Sequence, residues 1–449
     1  MNQKTAKLLS ISMAALIAAT ATGCGSGSSG GSDSGKAKIS DARKDNNGKE
    51  ISYWNISTES PDKDEIAQVV DEFNSTTKSG FSADVVPIQN DNYKEKLVVA
   101  MSSGECPDMY SNWSGGPLHE YVDSGFAQPV DDLFNKSEIK DKLMDAAVSQ
   151  ATYNDHIYAV PYKNVAISGI FYNKKMFKDY NLEEPETLSD LENICETLKK
   201  NDITPFALAN SSKWTGSMYF MNLAVRYGGL EPFQKAISGE GKFTDESFIK
   251  AGDKIQEWVK SGYFPEGVNS LSEDDGQSKQ LMYQEKAGML LGGSWYTVTF
   301  AQDSKEFYQN IGWFPFPAIE DSDADPAIQI GTVGDQFLSF SCKDDKLAAA
   351  FECAEDHLSD EMIDKEIKSG KIPPVKGIDS KITDPITKKV AKTATDAPDI
   401  QLWYHQDLPP AVSTAHLDSL QEVFGLTKTP QEAQETMQKA MEDYLNDQK

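Results

Sequence analysis

The sequence predicts an α/β fold divided between two lobes, and three observations carry that reading. The chain is 449 residues long, about three times a typical single domain, so more than one core is expected. From Glu50 onward short apolar runs alternate with amphipathic helices, the pattern of βα units around a mainly parallel sheet. A second series of the same kind begins near Tyr162. With 39% hydrophobic and 10% aromatic residues, the chain is too apolar to stay disordered over most of its length.

Residues 51–56 (ISYWNI) read as a buried first strand. Ser60 is placed as an N-cap and Pro61 as the first residue of a helix carrying Ile66, Val69, Val70 and Phe73 at helical spacing. Residues 83–88 predict a second strand, Leu97, Val98 and Met101 a helix, and residues 108–111 a third strand. In the second series, residues 165–172 form an apolar run. Thr187 and Asp190 then form a capping box for a helix with Leu188, Leu191, Ile194, Cys195 and Leu198 on one stripe. Residues 287–291 and 337–341 predict further strands, and residues 430–445 the last helix. No repeat of fixed period is present.

The N-terminus has the parts of an export signal. Lys4 and Lys7 precede a small-residue apolar stretch, residues 8–21, that is too short for a permanent span. It ends in Ala21-Thr22-Gly23-Cys24, which resembles the lipobox of bacterial lipoproteins, with alanine in place of the usual leucine at the first position. Residues 1–23 are therefore expected to be removed and Cys24 lipidated. Residues 24–49 form a tether whose Gly/Ser-rich stretch, 25–35, behaves as a flexible coil. A lipid plus a leash places the folded part on the outer face of a membrane without embedding it.

Lys plus Arg total 43 against 70 Asp plus Glu, a formal charge of −27. That sign excludes nucleic acid as an expected partner, and its plainest consequence is solubility. Beyond Cys24, the cysteines Cys106, Cys195, Cys342 and Cys353 show neither metal spacing nor a C-x-x-C motif and read as core residues, with a Cys342–Cys353 bridge left open. The chain has no H-E-x-x-H, G-x-S-x-G, P-loop or G-x-G-x-x-G after a strand, so no catalytic residue, cofactor or metal is expected. Among 70 acids a hydrolytic carboxylate pair leaves no sequence signature.

The tryptophans say more. Trp258, beside Ile255 and Val259, reads as core. Trp113, Trp214, Trp295 and Trp403 instead sit among polar, Gly-containing neighbours expected past strand ends, where ligands enter open α/β sheets. A sugar ring packs its C–H faces on indole while its hydroxyls take amides and carboxylates. Each tryptophan alone is equally compatible with partly buried packing.

Five stretches, in this order and spacing, give the chain a family likeness. They are Tyr53-Trp54; residues 100–108 (AMSSGECPD); residues 157–162 (IYAVPY); residues 171–177 (FYNKKMF) with Pro185-Glu186-Thr187; and residues 286–289 (KAGM) leading to residues 292–295 (GGSW). The chain resembles the family-1 extracellular solute-binding proteins of carbohydrate ABC transporters over essentially its whole mature length. The resemblance implies a two-lobed, periplasmic-binding-protein-like fold of type II, with hinge crossings between lobes of 51–161 plus 333–374 and 162–332 plus 375–445. It further implies an oligosaccharide ligand, ABC permease subunits as partners and a monomer without enzymatic activity on the surface of a Gram-positive-type cell. The ligand positions it implies are Ser57, Thr58, Glu59, Asn90, Asp91, Trp113, Tyr162, Lys163, Asn164, Asn210, Trp214, Gly293, Ser294, Trp295, Gly334, Asp335, Trp403 and Asp407, with His405 at the rim or in contact. The alternatives are an anchored glycoside hydrolase and a receptor of the same fold for a polyamine, iron or peptide.

Overall fold

The computed structural model describes residues 48–334 and 336–447, all within the unit Lys38–Lys449. The leader 1–23, Cys24, nearly all of the tether 24–49, and Asp335 lie outside the described residues. In chain order the strands are β1 (Glu50–Asn55), β2 (Ser82–Pro87), β3 (Met109–Asn112), β4 (Thr152–Tyr153), β5 (His156–Ile157), β6 (Ala159–Pro161), β7 (Val165–Asn173), β8 (Thr204–Phe206), β9 (Ala287–Gly293), β10 (Ile311–Phe314), β11 (Gln329–Val333), β12 (Phe337–Phe340) and β13 (Ile400–Gln401).

β1 alternates as a half-covered strand should, with Ile51, Tyr53 and Asn55 buried and their neighbours less so. It lies in a five-stranded sheet of order β2-β1-β3-β12-β6. β7 is buried at all nine positions, VAISGIFYN, as expected of a strand covered on both faces. It centres the second sheet, of order β13-β11-β7-β9-β8 with β10 also on β7. β4 and β5 form a separate two-stranded ribbon.

The expected mainly parallel sheets are in fact mixed. In the first, β1 runs parallel to β2 and β3, but β12 is antiparallel to β3 and β6. In the second, β9, β10 and β11 all run antiparallel to β7, and only the β8–β9 and β11–β13 pairs are parallel. Alternation of strand and helix does not fix direction: the chain returns to β7 three times against its sense.

Helix starts follow local chemistry closely. Thr187 and Asp190 exchange hydrogen bonds with each other's backbone N–H at 3.2 and 3.1 Å, capping the helix Leu188–Lys200. The first helix differs from expectation: it runs Asp62–Thr76, and Ser60 Oγ turns to Asp64 at 2.7 Å instead of capping a backbone donor. In the helix Asn90–Ser103, Leu97 and Met101 face inward while Val98 is 53% exposed. Trp258 is fully buried, stacked on Phe206, and donates its Nε1–H to Glu192. Cys195 and Cys353 are buried free thiols, so the Cys342–Cys353 bridge left open by the sequence is not formed; Cys342 is buried and Cys106 half-buried.

The chain passes between the sheets after β6, after β11 and again after β12. These passages are bonded to one another. The backbone N–H groups of Tyr162 and Lys163 donate to Gln336 O, and Tyr162 OH donates to Gln336 Oε1 at 3.0 Å. Val165 N–H donates to Ile372 O at 2.6 Å, and Ile372 N–H to Asn164 Oδ1 at 2.7 Å.

Candidate functional site

A cavity of about 550 Å³ lies beside these crossings. One wall is the stretch 56–62 after β1, with Gln89 and Asn90, and the crossing residues Lys163, Asn164, Gln336 and Lys371 line the same cavity. The other wall, from segments around the second sheet, holds Trp214, the turn 273–276, Trp295 and Tyr296. A narrower chamber of about 210 Å³ continues from it past Trp113, Trp214, Trp295 and Trp403. The two share Ile56, Asn90, Trp214, Asp274 and Trp295 and so form one cleft.

Four tryptophans from four separate stretches therefore meet at one opening. The Trp295 ring stands edge-on to Trp214 at 6.0 Å and to Trp403 at 5.9 Å, within the range of favourable aromatic pairs. Trp113 lines the same chamber, with Tyr93 at its edge and Lys94 Nζ 4.8 Å above its ring.

Of the sequence-derived positions, Ser57, Thr58, Glu59, Asn90, Lys163, Asn164, Trp113, Trp214, Trp295 and Trp403 line the cleft, as does His405. The other described positions are not among the lining residues. Asp91 accepts from Ser212 Oγ at 2.7 Å, and its own N–H donates to Asp274 Oδ2 at 3.1 Å, joining a helix of the first sheet to loops of the second. Asn210 is fully buried, and its Oδ1 accepts from Gly216 N–H at 2.9 Å, fixing the start of the helix Trp214–Gly228. It stands beyond β8 in a loop, not at a strand end. Ser294 donates through Oγ to Val165 O and through N–H to Ile167 O, both at 3.0 Å. Gly293 is the last residue of β9, where a Cβ would stand 2.0 Å from the Trp295 ring. Tyr162 is buried in the crossing, and Gly334 turns at φ +115° and accepts from Thr332 Oγ1. Asp407, raised to about 6 by burial, accepts from Gln401 Nε2 at 3.2 Å.

The first wall runs inward into a buried ion cluster. Lys163 pairs with Asp62 and donates to Ser57 Oγ at 3.0 Å. Lys371 bonds Asp62 at 2.6 Å, pairs with Glu65, and stands 3.8 Å from Glu366 Oε1. Burial alone would raise the Asp62 carboxyl, but the two ammoniums win and hold it well below the usual carboxylate range. Burial, then the same ammoniums, push the His357 imidazole down to about 3, so it stays neutral. Glu366 goes the other way: burial pushes it up to about 8 despite Lys371, and its Oε2 has no hydrogen-bond partner among the described residues. On the opposite wall burial raises both Glu273, which accepts from Tyr296 OH, and Asp274.

The Glu366 shift predicts a pH dependence. A carboxyl whose folded value lies above its unfolded one contributes stability below about pH 4.5 that is lost as pH rises through about 8. Glu366→Gln, which mimics the protonated form, should melt with the wild type at pH 5. At pH 8.5 it should melt roughly 3 °C or more higher. Scanning calorimetry across that range checks it; a gap that does not widen with pH contradicts it.

Residues 45–355 match the family of bacterial extracellular solute-binding proteins. The chain belongs to that family. An uncharacterized ABC transporter extracellular-binding protein of Pyrococcus horikoshii is 28% identical over 229 residues, covering 51% of each chain. The multiple sugar-binding protein of Streptococcus mutans is 28% identical over 269 residues, 57% of this chain and 59% of that one. The match thus spans little more than half the length of these curated relatives. A structure solved in connection with xylan utilization by the thermophilic bacterium Caldanaerobius polysaccharolyticus superposes with a TM-score of 0.80 at 27% identity, over 87% of this chain and 99% of that one. Among the described residues of this solute-binding protein, no helix is long and apolar enough to cross a membrane.

Sequence reasoning missed several cleft residues of this family member. Asp62 and Lys371 carry no local signal, since the ion pairs that place them join residues 101 and 306 positions apart. The turn 273–276 did offer one: Ser-Glu-Asp-Asp-Gly is turn chemistry, and Gly276 takes a φ of +67° just before the helix Gln277–Tyr283.

Proposed function

We propose that the protein is a sugar-binding receptor of an ABC importer that holds an oligosaccharide in this cleft and delivers it to permease subunits. The observation that carries the reading is the meeting of Trp113, Trp214, Trp295 and Trp403 at one opening walled by amides and carboxylates. Apolar faces beside paired donors and acceptors are what a hydroxylated ring requires. The names of the Streptococcus mutans relative and of the xylan-linked structure point the same way.

In this reading 51–161 with 333–374 and 162–332 with 375–445 are the two lobes, and the bonded crossings are their hinge. Ligand contacts made from both lobes exist together only when the cleft is closed, so ligand shifts the hinge equilibrium. Cys24 carries the lipid and residues 24–49 the leash, so the receptor works outside a Gram-positive-type cell, as a monomer and without chemistry of its own.

A thermal-shift screen against oligosaccharides, polyamines, iron chelates and peptides tests the function. A ligand at a hundred times its Kd stabilises the native state by about 2.7 kcal/mol, and oligosaccharides alone should raise the melting temperature. A shift by another class, or release of shorter sugars on incubation, overturns the reading. Asp91→Ala, which removes the acceptor for Ser212, should favour the open form and weaken sugar binding roughly three- to ten-fold. Small-angle scattering should then show a larger radius of gyration for the unliganded variant; an unchanged radius contradicts a role for the Asp91–Ser212 bond in holding the cleft closed.

A further inference from the structure

Two neighbouring glycines bring backbone against backbone between segments of the two sheets. The stretch after β3, Trp113-Ser114-Gly115-Gly116, leads into the helix Gly116–Asp123 and lies against the segment 406–408 that follows Trp403. A Cβ on Gly115 would stand 2.5 Å from Gln406 O, and one on Gly116 only 2.1 Å from Leu408 O. Gly115 has a second reason to be glycine, a φ of +75°. Gly116 has none of that kind: it starts a helix outside the left-handed region, where alanine is normally the better helix former. Its missing side chain therefore serves the neighbouring segment and not its own backbone.

Each side of this seam is rooted in a different core. Leu118 packs with Ala159 and Phe337 of the first sheet, whereas Tyr404 stacks on Phe233 at 3.8 Å and Leu408 is buried in the core around the second. The crossings are tied by hydrogen bonds, but across the seam none runs among the described residues. Such a contact parts without leaving a polar group unpaired. Its two sides also carry Trp113 and Trp403, which line the cleft.

Resting on the sugar-receptor reading, we propose that Gly115 and Gly116 are positioning residues, the stop on which the lobes meet when the cleft closes around sugar. With only hydrogens facing the 406–408 backbone, the stop sets how near Trp113 and Trp403 come to one another. A methyl group on Gly116 would hold the segments about 1 Å or more further apart and keep the variant short of full closure. Apparent affinity falls with the fraction of closed state that is lost.

Gly116→Ala tests this with xylotriose or maltotriose, whichever raises the wild-type melting temperature more. Without sugar the variant should melt as the wild type does, because the open form has room for the methyl group. Calorimetry should show binding roughly ten-fold or more weaker, and stopped-flow fluorescence should show faster release with unchanged association. Hydrogen exchange on the wild type needs no variant and decides alone should Gly116→Ala fail to fold. Peptides 115–123 and 408–414, none of whose residues lines the cleft, should both gain protection when sugar is added. Affinity within about two-fold of wild type, release at the wild-type rate, or exchange unchanged in one or both peptides overturns the stop and leaves the receptor reading intact. A wild type that no sugar of the screen stabilises instead fails the receptor reading itself.

Discussion

Replacing Trp295 with alanine should cost the protein most of its sugar affinity, a loss of roughly 30- to 1000-fold measured by calorimetry with the best oligosaccharide of the screen. Trp295 is the only one of the four tryptophans that stands edge-on to two others, within 6.0 Å of Trp214 and 5.9 Å of Trp403. It also belongs to both sections of the cleft. In the proposed receptor its truncation removes a ligand face and at the same time loosens the two indoles packed on it. Central aromatic anchors of this kind dominate binding energy. Because Trp295 is partly exposed, the fold should survive, which unchanged near-ultraviolet dichroism outside the indole bands would verify. Affinity within three-fold of wild type would remove Trp295 from the site.

The largest effect on stability is expected from Lys371→Met. Lys371 is 4% exposed and pairs with Asp62, Glu65 and Glu366. Methionine fills the stem's space but leaves Glu65 buried without a cation. Removing one partner of a buried pair typically costs about 3–5 kcal/mol, because the other charge is left uncompensated. Denaturant unfolding at pH 8 should show a loss of that size. At pH 5 the loss should shrink, since Glu366, pushed up to about 8 by burial, is then protonated and has no charge for Lys371 to compensate. Adding Glu65→Gln should recover much of the stability. An equal loss at both pH values would mean that packing, and not charge, is what Lys371 supplies.

Most of the fold was legible where short-range chemistry decides it. The capping box at Thr187 and Asp190, the buried run that became β7 and the core position of Trp258 follow from local pattern alone. Strand direction was not legible, because it depends on where a distant segment returns. The cleft divides in the same way. The tryptophans stand out because large aromatics among glycine and polar residues are unusual outside a core. Their polar neighbours were harder to assign. Asn210 accepts from Gly216 N–H and donates to Asn269 Oδ1, and Ser294 donates to Val165 O, so each is a mount beside a tryptophan that lines the cleft and not a lining residue itself. The ion cluster that seats Lys163 and Lys371 joins residues 101 and 306 positions apart and has no local signature.

The order of the first sheet has a consequence for synthesis. β12 lies between β3 and β6, so its slot stays vacant until residue 340 has been made. A nascent chain shorter than that keeps β3 and β6 without a shared neighbour, and the amino-terminal half cannot finish folding by itself. Late insertion of a central strand would leave the polypeptide loose enough to be threaded through a translocation pore before its structure locks.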